Sequence, residues 1–344
     1  MHKVELGNTG LMVSEVAFGG IPIQRLDSDQ AVSVVQRCLD LEVDFLDTAH
    51  AYGTSEERIG RAIAGRRDDV TLASKATGRD AETFREQMET SFRQLGVDYI
   101  ELYQCHNVST AEAYERVISP GGALEVAQEA KSKGRIGHIG LTSHKLEMAI
   151  EAARSGLFES IMFPFNYIAR EANEELIPLC REKGVGFMAM KPMGGGYLDD
   201  AALSFKYLRQ FSGVVPVVGI ERQAEIKEIV SIVESRERLS EEEQAAIARI
   251  REELGSRFCR GCGYCQPCTQ DIAISFVMRI QSLTQRFPEE QIYGEWGQSM
   301  VAKAETCVDC GECEPRCPYE LPIREIMTQN AAWYNEQMAL RQRA

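Results

Sequence analysis

A chain of 344 residues, 44% hydrophobic and 26% charged, suits a protein with one large domain and a smaller companion. The formal charge of −14 argues against a nucleic-acid surface or an anionic-membrane partner. The opening MHKVELGNTG has no apolar core of a signal peptide, and no stretch reaches the ~20 apolar residues that span a bilayer, so a cytoplasmic protein is expected.

In chain order, VELGNTGLMVS reads as a small hairpin turning at Asn8–Gly10. Eight short runs of nearly continuous apolar character follow: EVAF (15–18), DFLDT (44–48), VTLAS (70–74), YIELYQC (99–105), HIGLT (138–142), SIMFPF (160–165), GFMAM (186–190) and VVPVVG (214–219). Runs of that kind predict strands covered on both faces. Helical patterns separate them at Asp29–Leu41, Ala81–Leu95, Leu124–Lys133, Leu146–Arg154, Asn173–Lys183 and Arg222–Val233. Gly96, Gly134, Gly156 and Gly184 stand just past helix ends, where a left-handed residue is wanted. Eight strand-then-helix units within 1–235 predict an α/β fold, a closed (β/α)8 TIM barrel rather than an open sheet. No Gly-x-Gly-x-x-Gly follows the first strand, which agrees. A Glu/Arg-rich helix over Ser240–Leu254, inside a connector at 236–254, leads to a cysteine-rich segment at 255–330 and a tail at 331–344. There Asp271–Thr284 reads as a helix, Phe287–Trp296 as an aromatic loop, and Arg324–Arg341 as a final helix.

Chemistry in such barrels gathers at the C-terminal ends of strands. Those ends supply Asp47, Lys75 and His106, with Tyr52 in the loop after Asp47. A hydride added to a carbonyl carbon leaves an alkoxide that needs a proton. Tyrosine can give it when an ammonium lies nearby, an aspartate keeps that lysine charged, and histidine can share the donation or orient the carbonyl. A Lys75–Asp47 pair alone would read as structural; four residues in register favour a site. His50, His138 and His144 carry no partner pattern and read as second-layer, packing or surface residues, although His144 also suits a minor substrate contact.

At this point the chain resembles the aldo–keto reductase family. FLDTAHAYGTSEERIG is similar to its signature, and LGNTGLMVSEVAFGG, TLASK and YIELYQCH match neighbouring motifs in order. The resemblance covers roughly 1–235 and implies a catalytic tetrad of Asp47, Tyr52, Lys75 and His106, with Tyr52 as general acid and base. It also implies NADP or NAD, bound extended across the barrel mouth, and a small carbonyl or alcohol substrate. Thr142 and Ser143 fall where the family holds the carboxamide, with Asn166 nearby and Gly20 on the same rim. Lys191, Gly219 and Arg222 fall where the phosphates would run. The family usually has a glutamine near Met162, an aromatic near Met190, and an arginine for the 2′-phosphate where this chain has Glu225.

Eight of the eleven cysteines form two runs, Cys259-x2-Cys262-x2-Cys265-x2-Cys268 and Cys307-x2-Cys310-x2-Cys313-x3-Cys317-Pro318. The cadence of short loops presenting several thiolates to one compact core predicts a mainly helical, ferredoxin-like domain with two 4Fe–4S clusters. Zinc and disulfides are the alternative uses; four cysteines this close crowd a tetrahedral zinc site, and disulfide frameworks belong to short secreted chains. In a two-cluster ferredoxin fold the last cysteine of each run ligates the other cluster. That rule groups Cys259, Cys262, Cys265 and Cys317, and separately Cys307, Cys310, Cys313 and Cys268. Cys38, Cys105 and Cys180 read as buried small hydrophobes.

Clusters pass single electrons, whereas hydride transfer moves two. Three functions therefore follow from the sequence: a nicotinamide-dependent carbonyl reductase whose clusters are structural or serve a redox partner protein; a cluster-driven oxidoreductase, with flavin or a partner as mediator; and a non-catalytic electron-transfer subunit. The intact tetrad argues against the third.

Overall fold

The computed structural model describes residues 1–255, 257–261, 263–285, 287–317 and 319–343. By its internal contacts the chain forms two units, Met1–Gly194 with Leu198–Leu239, and Ser240–Ala344 with Gly195–Tyr197. The helix expected as a connector therefore groups with the second unit.

The first unit opens with an antiparallel hairpin, β1 (Lys3–Glu5) and β2 (Met12–Ser14). Eight parallel strands then close into a barrel: β3 (Ala17–Gly19), β4 (Phe45–Asp47), β5 (Thr71–Ala76), β6 (Ile100–Cys105), β7 (Ile136–Thr142), β8 (Ser160–Pro164), β9 (Gly186–Met190) and β10 (Val214–Gly219), with β10 paired to β3. This is the expected (β/α)8 barrel. Ala17, Phe45, Ala73, Leu102, Met162, Met188, Val215 and Val217 fill its interior, and Leu6 and Val13 of the hairpin pack with them. Gly7 makes that closure possible, because at φ +60° a Cβ there would lie 2.3 Å from the Gly186 nitrogen.

Nine helices of this unit surround the strands: α1 (Ser28–Asp40), α2 (Ser55–Ile63), α3 (Ala81–Leu95), α4 (Ala111–Ile118), α5 (Ala123–Ser132), α6 (Leu146–Ser155), α7 (Leu176–Lys183), α8 (Ala201–Leu208) and α9 (Gln223–Ser235). Asp27, Asp80, Thr110 and Asp200 cap α1, α3, α4 and α8 by accepting N–H bonds from the first turn. Periodicity did not single out α2, α4 and α8; all are short, eight or nine residues. Cys38, Cys105 and Cys180 are buried as expected, and burial pushes each thiol up to about 12.

The second unit is helical: α10 (Glu241–Gly255), α11 (Ile274–Val277), α12 (Ile280–Thr284), α13 (Glu289–Tyr293), α14 (Glu295–Ala302) and α15 (Ile323–Arg343). Two expectations need correcting. The single helix over Asp271–Thr284 is two, because the Arg279 Nε donates to the Ser275 carbonyl (2.9 Å) that a continuous helix would give the Arg279 N–H, which turns to Phe276 instead. The aromatic loop Phe287–Trp296 holds α13 and the start of α14, punctuated by Pro288 and Gly294 into pieces too short to show a period. The expected tail continues α15, whose Ala331 and Tyr334 are core residues. Asn330 satisfies the end of α11, donating to the Val277 and Met278 carbonyls at 3.0 Å each.

Candidate functional site

Strand alternation builds the site. Phe45, Ala73 and Leu102 point into the barrel, so two residues further along each strand Asp47, Lys75 and Gln104 point inward one layer up. Lys75 and Gln104 are register partners, and the loops after β4 and β6 bring in Tyr52 and His106. The four residues expected as a tetrad thus come together.

Lys75, 1% exposed, donates to Asp47 Oδ2 at 2.6 Å and to the Thr48 carbonyl at 2.7 Å. Its Nζ lies 5.0 Å from the centre of the Tyr52 ring, and the Tyr52 and His106 rings meet edge to face at 5.7 Å. Burial opposes charge on Lys75, but the carboxylate of Asp47, then Tyr52 and Glu56, outweigh it and hold the ammonium above its ordinary value. Burial raises the Asp47 carboxyl, against the pull of Lys75 and of Gln104, which donates to Oδ1 at 3.2 Å. His106 is pushed down to about 3 by burial and by the positive charges of Lys75 and Arg79, so its imidazole is neutral. His106 Nδ1, Gln104 Oε1, Arg79 Nη1 and His50 Nδ1 are buried without a hydrogen-bond partner, so unmet polar groups surround the tetrad. That donor and acceptor set fits a polar ligand.

The residues expected to hold a nicotinamide divide into two kinds. Thr142, Ser143 and Asn166 are all buried near strand ends. Thr142 Oγ1 accepts the Asn107 N–H (2.7 Å), which leaves its hydroxyl hydrogen to give. Ser143 bonds to Lys145, whereas Asn166 donates to the Lys191 carbonyl (2.9 Å) and accepts from Ile168 and Ala169 (2.8 Å each). Asn166 therefore fastens the β8 and β9 ends, with one amide hydrogen remaining. Gly20 has a packing reason, since a Cβ there would meet Ser55 Oγ at 2.6 Å, and Gly219 lies as close to Pro22. Lys191, at φ +58°, brings its Nζ 3.4 Å from His144 Nδ1. Arg222 is exposed and paired with Glu225 at 2.7 Å in the first turn of α9. The nicotinamide end of the expected site is thus better furnished than the 2′-phosphate end.

In the second unit, Cys259, Cys265 and Cys317 line one cavity together with Arg260, Tyr264, Met278 and Tyr319. Cys262, expected with them, lies outside the described residues. Among the described residues no three His, Cys, Asp or Glu side chains are close enough to hold a single ion. Three cysteine thiols lining one cavity are a donor set that fits an iron–sulfur cluster. Cys307 and Cys310 are exposed, and Cys313 and Cys268 half-buried. Burial raises the Cys313 thiol, with Glu314 and the nearby Cys307 and Cys310 adding to the rise.

Gln104 and Arg79 escaped the sequence reading. Gln104 could have been found as the polar residue at inward parity in YIELYQC; Arg79, which donates to the His106 and Asn107 carbonyls at 2.8 and 2.9 Å, left no local signal.

The profile of the aldo/keto reductase family matches residues 15–206, and that of a 4Fe-4S dicluster domain matches 258–322. An uncharacterized oxidoreductase of Bacillus subtilis is 30% identical over 217 residues, covering 59% of this chain and 68% of the relative. The L-galactose dehydrogenase of Arabidopsis thaliana is 29% identical over 223 residues, covering 58% and 69%. The solved structure of an aldo-keto reductase from Bacillus halodurans in its holo form is similar with a TM-score of 0.64 and 26% identity, covering 73% of this chain and 96% of that one. Among the described residues no helix is long and apolar enough to cross a membrane.

Proposed function

This chain belongs to the aldo/keto reductase family and carries a C-terminal 4Fe-4S dicluster domain, and we propose that it interconverts a small carbonyl compound and its alcohol, with Tyr52 as general acid and base. The observation that supports this most directly is the Lys75 ammonium, locked between Asp47 and the Thr48 carbonyl with the Tyr52 ring 5.0 Å away. A nicotinamide, when bound, supplies or accepts the hydride at the carbonyl carbon. Tyr52 gives its phenolic proton to the developing alkoxide oxygen, and the fixed positive charge of Lys75 lowers the cost of the phenolate left behind. Asp47 keeps Lys75 charged and aimed. Neutral His106, edge-on to Tyr52, shares a hydrogen bond with the substrate oxygen without adding a charge. Thr142, Ser143 and Asn166 would hold the carboxamide end of the cofactor; Lys191, Gly219 and Arg222 would follow its phosphates.

Two 4Fe–4S clusters are assigned to the eight cysteines, in the exchanged grouping that the ferredoxin pattern implies. They stand outside the hydride step, which moves an electron pair at once, and serve one-electron traffic or the stability of their own unit.

The test is to purify the protein without oxygen and titrate it with NADPH and NADH across a panel of carbonyl compounds. Carbonyl-dependent oxidation of the nicotinamide, lost in Tyr52→Phe and kept when cluster cysteines are replaced, is the expected result. Bleaching of the clusters in step with turnover, or a flavin absorbance band, would replace this reading with the cluster-driven one. Reversible cluster reduction with no carbonyl turnover would leave an electron-transfer subunit.

A further inference from the structure

The two cysteine groups differ in burial. Cys265 is 8% exposed, belongs to the apolar core of the second unit, and shares the cavity with Cys259 and Cys317. Ile274, Met278 and Leu321 wall that cavity, and the Arg260 guanidinium lies 3.7 Å from the centre of the Tyr319 ring at its edge. In the other group Cys313 and Cys268 are half-buried, as Cys259 and Cys317 are, but Cys307 and Cys310 are exposed. Every residue from Glu305 to Cys310 is exposed, Cys307 and Cys310 included, and Val308 between them is 61% exposed.

We infer that the group of Cys307, Cys310, Cys313 and Cys268 is the electron port of this unit, and that the site of Cys259, Cys265 and Cys317 is internal, reached by electrons only through the port. The inference rests on reading both groups as cluster ligands. Electron-transfer rates fall steeply with distance, so a carrier in solution exchanges with whichever cluster lies at the surface.

The charge around the port selects the carrier. Residues 303–324 hold five acids (Glu305, Asp309, Glu312, Glu314, Glu320) against three bases (Lys303, Arg316, Arg324), a net −2, with Asp309 and Glu314 paired to Arg324 and Glu312 to Arg316, on a chain of net charge −14. Such a face draws a small one-electron carrier protein with a basic docking surface and repels an acidic one. In the step itself the reduced carrier loses one electron and the port gains it, with no bond made or broken and no proton moved; the electron then passes inward.

Two measurements on the anaerobic, fully loaded protein test this. In the first, the protein is reduced by one electron, and soluble paramagnetic metal complexes are added while the cluster signals are followed by electron paramagnetic resonance. One signal should relax faster, more so with a cationic complex than with an anionic one, and added salt should shrink the difference. Equal relaxation of both signals overturns the proposal, as does a stronger effect of the anionic complex.

The second follows iron release to a chelator. Two phases are expected, each carrying about half of the iron. Cys310→Ser should lose the fast phase and Cys265→Ser the slow one. A single phase in the unmodified protein, or loss of the slow phase in Cys310→Ser, overturns the proposal alone. Iron well short of two clusters overturns the reading of the ligands beneath it.

Discussion

The two units solve the problem of holding a reactive site in opposite ways. The barrel frames its polar residues with eight paired strands and a packed interior, and Lys75, Asp47 and Gln104 bond to one another within protein alone. The second unit has interior helices of only four to eight residues, and cysteines pack against its apolar core. Helices that short are not stable by themselves and depend on what they pack around. The contrast teaches that the barrel site is preorganised by the fold, whereas the short helices of the cysteine unit depend on its apolar core and on the iron–sulfur group that the dicluster-domain match implies.

The strongest way to break that contrast is to remove iron. In the full chain, anaerobic chelation should unfold the second unit while leaving the barrel intact, because metal binding and folding are one equilibrium where the site is made of the fold's own loops. Limited proteolysis should then cut within 240–344 and spare 1–239. A second unit that stays protected without iron would mean that its apolar core suffices and that the contrast is false.

Tyr52→Phe probes the other half. It should lower kcat by about 10²–10⁴ while iron content and barrel melting hold, since it removes one proton donor and nothing that packs the fold. Asp47→Asn should go further into stability. It leaves the Lys75 ammonium buried without its counter-charge, at a cost of about 3–5 kcal/mol. Adding Lys75→Met should return part of that loss in denaturant titrations, although activity stays low. If Asp47→Asn alone is as stable as the unmodified barrel, water must reach Lys75, and the site is less enclosed than its 1% exposure implies.

How much of each unit could be read from sequence follows from the same physics. Barrel strands buried on both faces write short but nearly continuous apolar runs, so all eight were legible, and their ends named Asp47, Lys75 and His106. Gln104 was legible only through strand parity, as the polar residue at an inward position, and Arg79 was hidden because its contact with the His106 carbonyl is made by the fold, not by spacing. Asn166 looked like a cofactor ligand but also has a structural task, fastening β8 to β9, which no sequence pattern reveals. In the second unit the cysteine cadence was plain. The two long helices at its ends, α10 and α15, were legible too, but the short ones between were not, since a turn stolen by the Arg279 side chain leaves no trace in hydrophobic periodicity.

The gentlest test uses protons. All five histidines lie in the first unit, so any histidine-linked acid sensitivity belongs to the barrel. His106 is pushed down to about 3 from an unfolded value near 6.5, so between those pH values the unfolded chain binds a proton that the folded one refuses. Stability is therefore fully present above pH 6.5 and is lost as pH falls toward 3, with about 2 kcal/mol gone by pH 5. Burial lowers His50 too, adding in the same direction. Comparing denaturant midpoints at pH 7 and pH 5 for the unmodified protein and His106→Gln isolates the effect, because every other titrating group is common to both. The variant's loss should be smaller by about that amount. Equal losses would mean that the folded barrel accepts an imidazolium beside Lys75 and Arg79, and that His106 can meet substrate as a cation.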